Sequence, residues 1–233
     1  MKKSATDPAT ELKVGLETGA ATTALVYRAS GGEAAAALVL AHGAGAGQRA
    51  AFMVEFARAL SARGLDLVTF NFPYTEQGRR IPDRAPVLES CYRAVIEAVR
   101  AELESARHAL YIGGKSMGGR IATQVAAADS ALPVAGLVLL GYPLHPPGKP
   151  TERRDKHLPS VGRRMLFVQG SRDAFGTPDE LAPVTSALRP AATLHVVSQG
   201  DHSFKLPRKD PAAQSAVHAD VQRVIEAWIL SAP

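Results

Sequence analysis

Short apolar runs alternate with segments of helical periodicity over nearly the whole chain. The apolar runs, read as strands, lie at 36–41, 65–70, 109–113, 135–141, 164–169 and 194–197. The helical segments lie at 50–63, 85–106, 117–128, 178–187 and 212–230. This alternation specifies a mostly parallel, doubly wound sheet with helices on both faces. Continuous apolar runs agree with it, because both faces of such strands are buried.

The first part of the chain departs from the alternation. Two apolar runs, 14–17 and 24–28, flank a turn at Gly19 and predict an antiparallel hairpin. We expect residues 1–10 to be flexible and residues 11–233 to form a single α/β domain. A domain of this size buries a continuous core without disulfides or metals.

The composition argues against several classes of protein. A single cysteine, Cys91, cannot form an intramolecular disulfide, so a reducing compartment is the simpler interpretation. No stretch reaches the roughly 18 apolar residues that span a bilayer, and residues 1–13 lack the apolar core of a secretory signal. We expect a soluble, cytoplasmic protein in which Cys91 is a buried small side chain rather than a reactive thiol.

The net charge of +5 raises the question of a nucleic-acid partner. The basic residues are scattered, and the densest cluster is interrupted by Glu152 and Asp155. Its members are Lys149, Arg153, Arg154, Lys156, Arg163 and Arg164. A solvated surface is the favoured interpretation, with the rim of an anionic-substrate site as an alternative, and we expect no nucleic-acid binding.

One motif points to chemistry. The sequence Gly114-Lys115-Ser116-Met117-Gly118 matches G-x-S-x-G between a predicted strand and a predicted helix. A sharp strand-to-helix turn puts the serine in a strained backbone conformation, and the positions two before and two after it must be small. The Gly-Lys-Ser triplet also ends a P-loop, but that motif needs glycine at 109, where the chain has alanine.

A serine hydroxyl is a weak nucleophile and needs a base that a third group orients. In this fold the order along the chain is serine, acid, histidine. Asp173 lies just past the predicted strand 164–169, where a carboxylate faces the turn at Ser116. Asp179 and Glu180 compete with it, but they fit the first turn of the next helix.

His202 is the only histidine in a loop after the last predicted strand. His145 and His157, in the irregular segment, are weaker candidates. We predict that Ser116 is the nucleophile, His202 the base and Asp173 the group that orients the base. No cluster of residues has metal-ligand spacing, so we expect no metal and no cofactor.

The glycine-rich loop 42–47 follows the first buried strand. A loop here can place a backbone N–H opposite the one that follows the nucleophile. We assign the oxyanion-hole donors to Ala44 and Met117, with Gly45 as the alternative to Ala44. The loop also matches a loose dinucleotide-binding pattern, but no acid stands at the end of the next strand, as that pattern requires.

Two residues are candidate substrate contacts. Lys115 adjoins the nucleophile, and its side chain either faces solvent, packs along its stem, or binds a substrate carboxylate. Tyr142 begins the irregular segment 142–162, which follows a strand end, where ligands bind in such folds. The segment is too short for a separate cap domain, so we expect an open site.

The chain resembles the α/β-hydrolase superfamily over nearly its full length, and it looks most like a small branch without a lid. That branch includes the testis-expressed protein thirty group and its relatives in chromatin acetyltransferase complexes. The chain also resembles dienelactone-hydrolase-like enzymes in its size and in the order of its elements. The motifs that carry the resemblance lie at 42–45, 114–120, 141–148, 169–173 and 200–204. The resemblance implies a compact hydrolase with its triad on Ser116, Asp173 and His202.

These patterns predict a serine hydrolase that cleaves an ester or thioester in a small molecule, with a small or exposed acyl group. The alternative is a non-catalytic binding or scaffold module that keeps the hydrolase geometry. The sequence shows no clear interface stripe, so it leaves the oligomeric state open.

Overall fold

A computed structural model describes residues 9–231, which form one eight-stranded sheet in the order β1-β2-β4-β3-β5-β6-β7-β8. The strands are β1 (Thr10–Gly15), β2 (Ala21–Tyr27), β3 (Ala36–Ala41), β4 (Leu65–Phe70), β5 (Leu110–Lys115), β6 (Gly136–Leu140), β7 (Arg164–Gly170) and β8 (Thr193–Val197). The helices are α1 (Ala51–Ser61), α2 (Pro73–Glu76), α3 (Ala85–Glu102), α4 (Glu104–His108), α5 (Met117–Ala128), α6 (Pro178–Ala187) and α7 (Pro211–Leu230).

The predicted hairpin is present but longer than expected. β1 begins at Thr10 and pairs antiparallel with β2, which in turn pairs antiparallel with β4. All other strand pairs are parallel. Of the ten residues expected to be flexible, residues 1–8 lie outside the described part of the chain, and Thr10 already belongs to β1.

The sheet buries both of its faces. On one face α3, α5 and α6 cover a core that includes Val39, Ile112 and Phe167. On the other face α1 and α7 cover a second core that includes Leu38 and Val168. Successive residues of one strand therefore point into different cores, which is why the parallel strands are apolar throughout.

The strand order reverses at β3, which lies between β4 and β5. The loops that leave the carboxyl ends of β3 and β5 therefore diverge and leave a crevice, where ligands bind in doubly wound sheets. The segment between β6 and β7 adds only a short 3₁₀ turn at Leu158–Ser160 at this edge, and no cap domain.

Two features differ from the sequence prediction. The helix expected over 85–106 is broken at Leu103, so that α3 and α4 are separate, and α2 was not expected.

Within residues 9–231, no helix is both long and apolar enough to cross a membrane. Cys91 is buried on α3, as expected, and burial raises the pKa of its thiol to about 12.

Candidate active site

Ser116 occupies a sharp turn between β5 and α5. Its backbone has φ 51° and ψ −116°, a conformation that few residues other than glycine adopt. The amide of Ser116 donates to the Leu140 carbonyl at 2.9 Å, which ties the turn to β6. A Cβ atom at Gly114 or Gly118 would overlap the backbone oxygen of Ala41, so β5 and α5 can approach β3 only with glycine at both positions.

Three side chains form a hydrogen-bonded chain at this edge of the sheet. His202 Nε2 lies 2.8 Å from Ser116 Oγ. On the other side of the ring, His202 Nδ1 lies 2.9 Å from Oδ1 and 2.8 Å from Oδ2 of Asp173. Because the carboxylate accepts from Nδ1–H, Nε2 is left as the acceptor for the serine hydroxyl.

Asp173 is fully buried, and its oxygens have partners besides His202. The amide of Phe175 donates to Oδ1 at 2.8 Å, and Gln169 Nε2 donates to Oδ2 at 2.8 Å. Gln169, at the end of β7, also donates to the Gly176 carbonyl at 2.7 Å. These donors, together with His202, hold the carboxylate in one orientation.

The loop that carries His202 is held from several directions. The Asp201 carboxylate accepts the amides of Ser203 at 2.7 Å and Lys205 at 2.9 Å, so it caps the loop and does not orient the imidazole. The Phe175 ring stacks on the imidazole with 4.2 Å between the ring centroids. Loop and ring together restrict the imidazole to the position that reaches Ser116.

The loop after β3 faces Ser116. The amide of Ala46 donates to the Gly43 carbonyl at 3.2 Å and closes a turn in which Gly45 has φ +72°. His42 lies buried beneath this turn, where its Nε2 accepts the Phe72 amide at 3.2 Å. Burial lowers the pKa of His42, so this histidine supports the loop as a neutral side chain.

A cavity of about 810 Å³ opens over Ser116 and His202. Its wall includes Ala44 and Met117, the two residues expected to supply oxyanion donors, whereas Gly45 is not part of it. One side comes from α1, including Phe52 and Met53, and the opposite side comes from α5 and the segment after β6. The cavity thus spans the carboxyl edge of the sheet from one helical layer to the other.

A comparison with known protein families identifies the family of this chain. Residues 34–230 match the α/β hydrolase domain family. The chain belongs to that family. The match covers most of the chain, from before β3 to the end of α7, and includes every residue of the hydrogen-bonded serine chain.

Solved structures share the fold of this α/β hydrolase. A lid-less α/β serine hydrolase from Xanthomonas campestris superposes with a TM-score of 0.73 at 20% identity, over 98% of each chain. A dienelactone hydrolase from Anabaena variabilis superposes with a TM-score of 0.71 at 18% identity, over 96% of this chain and 98% of its own. The expected fold class is confirmed, including the absence of a large cap within the described residues.

The sequence left three placements open for Lys115, one of which faced solvent. In the structure its side chain does not face solvent. The residue is 9% exposed, and its Nζ donates to the backbone carbonyl of His202 at 2.6 Å. Burial lowers the pKa of Lys115 to about 8, against the opposing effect of the Asp173 and Asp201 carboxylates. The side chain borders the cavity, but its ammonium group is committed to the His202 loop.

Tyr142 is not among the residues that line the cavity over Ser116, so the structure does not support its expected contact with substrate. Its side chain is buried, and its hydroxyl donates to the Arg154 carbonyl at 2.6 Å. Its amide donates to Gln169 Oε1 at 2.9 Å. Tyr142 therefore anchors the segment after β6 to the core, where its ring packs edge-to-face against the Phe167 ring.

The competing acids and histidines have other roles. Asp179 and Glu180 lie in the first turn of α6, and Glu180 forms a capping box with Thr177. His145 Nε2 lies 3.2 Å from Glu180 Oε1, and His157 Nε2 lies 2.8 Å from Thr123 Oγ1. Neither histidine takes part in the chain of hydrogen bonds at Ser116.

Sequence reasoning missed two residues that hold the site, Gln169 and Phe175. Both flank Asp173 within four positions, but a glutamine at a strand end and a phenylalanine in a loop carry no pattern that marks them. Only the fold shows that one donates to the carboxylate and the other covers the imidazole.

Proposed function

We propose that this α/β hydrolase is a serine hydrolase that cleaves an ester or thioester bond through an acyl-enzyme intermediate. The observation that carries the proposal is the continuous hydrogen-bonded chain from Ser116 Oγ through His202 to Asp173. Nucleophilic acyl transfer needs a serine held at a strained turn, a histidine whose unprotonated Nε2 can take the serine proton, and a carboxylate that orients the histidine.

In the first half of the reaction, Ser116 Oγ attacks the substrate carbonyl carbon while His202 Nε2 takes the hydroxyl proton. The carbonyl oxygen becomes an oxyanion, and the Asp173 carboxylate stabilises the imidazolium that forms. The intermediate then collapses: the bond to the leaving alcohol or thiol breaks, and the leaving group takes the proton from His202. The acyl group remains bound to Ser116.

In the second half, His202 Nε2 removes a proton from water as the water oxygen attacks the acyl carbon. A second oxyanion forms and collapses, the bond to Ser116 Oγ breaks, and the serine recovers its proton from His202. The acid is released, and the hydrogen-bonded chain returns to its starting state.

The Ala44 and Met117 amides are the oxyanion donors in this proposal. Met117 is the first residue of α5, where an amide has no acceptor within the helix. We favour Ala44 over Gly45 because only Ala44 borders the cavity. One such donor typically contributes roughly 3–4 kcal/mol of transition-state stabilisation.

We propose small or exposed acyl groups as substrates because no cap closes the cavity over Ser116. The lid-less serine hydrolase from Xanthomonas campestris and the Est1E protein from Butyrivibrio proteoclasticus, described in complex with ferulic acid, have the same fold. At 20% and 14% identity these likenesses concern the fold, so they support an open site without naming the substrate.

Fluorophosphonate labelling followed by turnover of p-nitrophenyl esters of increasing chain length tests the proposal. We expect the wild-type protein to be labelled and Ser116→Ala not to be. Turnover should fall by at least about 10⁴-fold in Ser116→Ala, as when a nucleophile of a triad is removed. Rates should also fall as the acyl chain lengthens.

The matched control is Ser186→Ala, an exposed serine on α6 far along the chain from the site. It should be labelled and should turn over esters like the wild-type protein. Folded wild-type protein that resists labelling would refute catalysis by Ser116, and the alternative of a binding or scaffold module would replace it.

A further inference from the structure

Two arginine side chains, Arg120 and Arg154, border the cavity on the α5 side. Arg120 lies one helical turn after the nucleophile, and its amide donates to the Ser116 carbonyl at 3.1 Å. Arg154 comes from the segment between β6 and β7. Both arginines thus line the same cavity, and the charge of Arg120 adds to the effect of burial in lowering the pKa of Arg154.

Neither arginine has an acidic partner among residues 9–231 within the 4.0 Å of an ion pair. The acids nearest in sequence are engaged elsewhere: Asp155 pairs with Arg153, and Glu152 with Lys149 at 2.9 Å. Arg120 Nε is buried and lacks an acceptor within the same residues. Two half-buried like charges with no acidic side chain of the described residues at ion-pair distance raise the free energy of the empty site, and a bound anion would offset that cost.

The backbone around Arg154 is fixed. Its carbonyl accepts the Tyr142 hydroxyl at 2.6 Å, and its amide donates to the Leu144 carbonyl at 2.8 Å. Beneath it, His157 contacts Thr123, and burial and then the charge of Arg120 lower the pKa of His157. A neutral His157 adds no further charge to the pair, and the fixed backbone reduces the entropy lost when an anion binds.

The rest of the cavity carries little charge that could serve the same purpose. Lys115 is committed to the His202 carbonyl, and Glu55, on the α1 side, lies 2.7 Å from His218 Nδ1. Lys205 borders the cavity from an exposed position on the His202 loop. The α1 wall is otherwise apolar, so the positive charge is concentrated on the α5 side of Ser116.

We propose that Arg120 and Arg154 form a subsite for a carboxylate carried by the substrate. The inference rests on the proposed function and narrows its substrate class to anionic esters or thioesters. A planar guanidinium matches a carboxylate with two parallel N–H···O bonds, and two such groups can share one anion. The reacting carbonyl would lie at Ser116 while the carboxylate of the same molecule lies over α5.

The test is the ratio of kcat/KM for an anionic ester to kcat/KM for a matched neutral ester. kcat/KM is measured for the p-nitrophenyl monoester of glutarate and for p-nitrophenyl hexanoate, which differ mainly in the charge of the acyl end. A second pair, 4-acetoxybenzoate and 4-acetoxytoluene, places the carboxylate on the leaving group. We expect the wild-type protein to prefer the anionic member of at least one pair by about tenfold or more, as for charge-assisted hydrogen bonds.

Arg120→Gln and Arg154→Gln should each reduce that ratio by about tenfold to a hundredfold. Arg120→Lys should retain part of it, because it keeps the charge but loses the paired geometry. Arg153→Gln is the matched control, since Arg153 lies beside Arg154 but pairs with Asp155 and does not border the cavity. No anionic preference in the wild-type protein, or one that survives both glutamine variants, would overturn the subsite.

A binding measurement on Ser116→Ala separates this proposal from the proposed function. Glutarate should raise the Tm of Ser116→Ala more than an equal ionic strength of chloride, and Arg120→Gln on that background should abolish the difference. Glutarate binding without fluorophosphonate labelling would refute the proposed function and leave the carboxylate subsite standing. Fluorophosphonate labelling without arginine-dependent selectivity or glutarate binding would refute the carboxylate subsite and leave the proposed function standing.

Discussion

Lys115 brings a positive charge into the interior directly beside Ser116 and His202. Two carboxylates, of Asp173 and Asp201, favour its charged form, but burial outweighs them and lowers the pKa to about 8. At neutral pH the protonated amine donates to the His202 carbonyl and joins β5 to the loop that carries His202. The same contact explains why the side chain of Lys115 does not reach solvent.

The lowered pKa of Lys115 predicts a specific dependence of stability on pH. The pKa is about 8 in the folded chain, against 10.5 for an unperturbed lysine. Below pH 8 both states are protonated, and the folded state carries the full cost of the buried charge. Between pH 8 and 10.5 the unfolded state binds more protons, so the contribution of Lys115 to the free energy of unfolding rises by up to about 3 kcal/mol.

Urea unfolding of the wild-type protein and of Lys115→Met across this pH range measures the effect. The difference in the free energy of unfolding, wild type minus variant, should rise from pH 8 to 10.5 and should be flat below pH 8. Lys205→Met, which removes an exposed lysine from the same loop region, should show no such rise. A wild-type minus Lys115→Met difference that falls with pH would contradict the burial of a charged Lys115.

The position of Ser116 is set by the packing of β5 and α5 against β3, and not by single side-chain contacts. β5 and α5 cross the end of β3 so closely that a Cβ at Gly118 would overlap Ala41. We expect Gly118→Ala to lower the free energy of unfolding by about 2–4 kcal/mol, because neither backbone can move without breaking the sheet. Chemical denaturation followed by circular dichroism gives this value.

Gly15→Ala is the control for that substitution. Gly15 ends β1, has no positive φ, and has open space where a Cβ would stand. Its replacement should change stability by no more than about 0.5 kcal/mol. Equal effects of the two substitutions would mean that the close approach of α5 to β3 does not constrain the turn.

Elements buried on both faces were the most predictable from sequence. β3, β4, α5 and α6 have the expected bounds. A buried parallel strand must be apolar on both sides, α5 begins directly after the turn at Ser116, and α6 begins at a capping box. The break at Leu103 was not predictable, since helical periodicity continues through it. Leu103 is extended and fully buried, so a tertiary contact overrides the local pattern there.

The candidate site likewise has parts that were predictable from the sequence and parts that were not. That Ser116, Asp173 and His202 lie together was predictable, because each follows a strand in a fixed order and strand ends converge whatever the loops do. The placement of Tyr142 was not predictable, because the direction of a side chain in an irregular segment depends on its partners. The position of Arg120 was not predictable either, because a helical arginine is expected to face solvent, and only the fold shows that Arg120 and Arg154 line the same cavity.

At the scale of the whole molecule, burial decreases from the centre of the sheet to its edges. Every residue of β3, β4, β5 and β6 is buried, whereas β1 buries only Val14 and β8 only Val197. Ser116 therefore follows a central strand, and the loop that carries His202 follows an edge strand. Ser116 is positioned by the most deeply buried part of the sheet, whereas His202 is positioned by a loop that hydrogen bonds must fix.

Hydrogen exchange measured by mass spectrometry should reproduce this gradient. Amides of β3 and β5 should exchange only through global unfolding, whereas amides of β1 and β8 should exchange through local opening at a lower free energy. The order should be the same in Ser116→Ala, because burial and not catalysis produces it. Protection of β1 equal to that of β3 would mean that the hairpin opens only when the whole sheet unfolds, and the edges would then belong to the same cooperative unit as the centre.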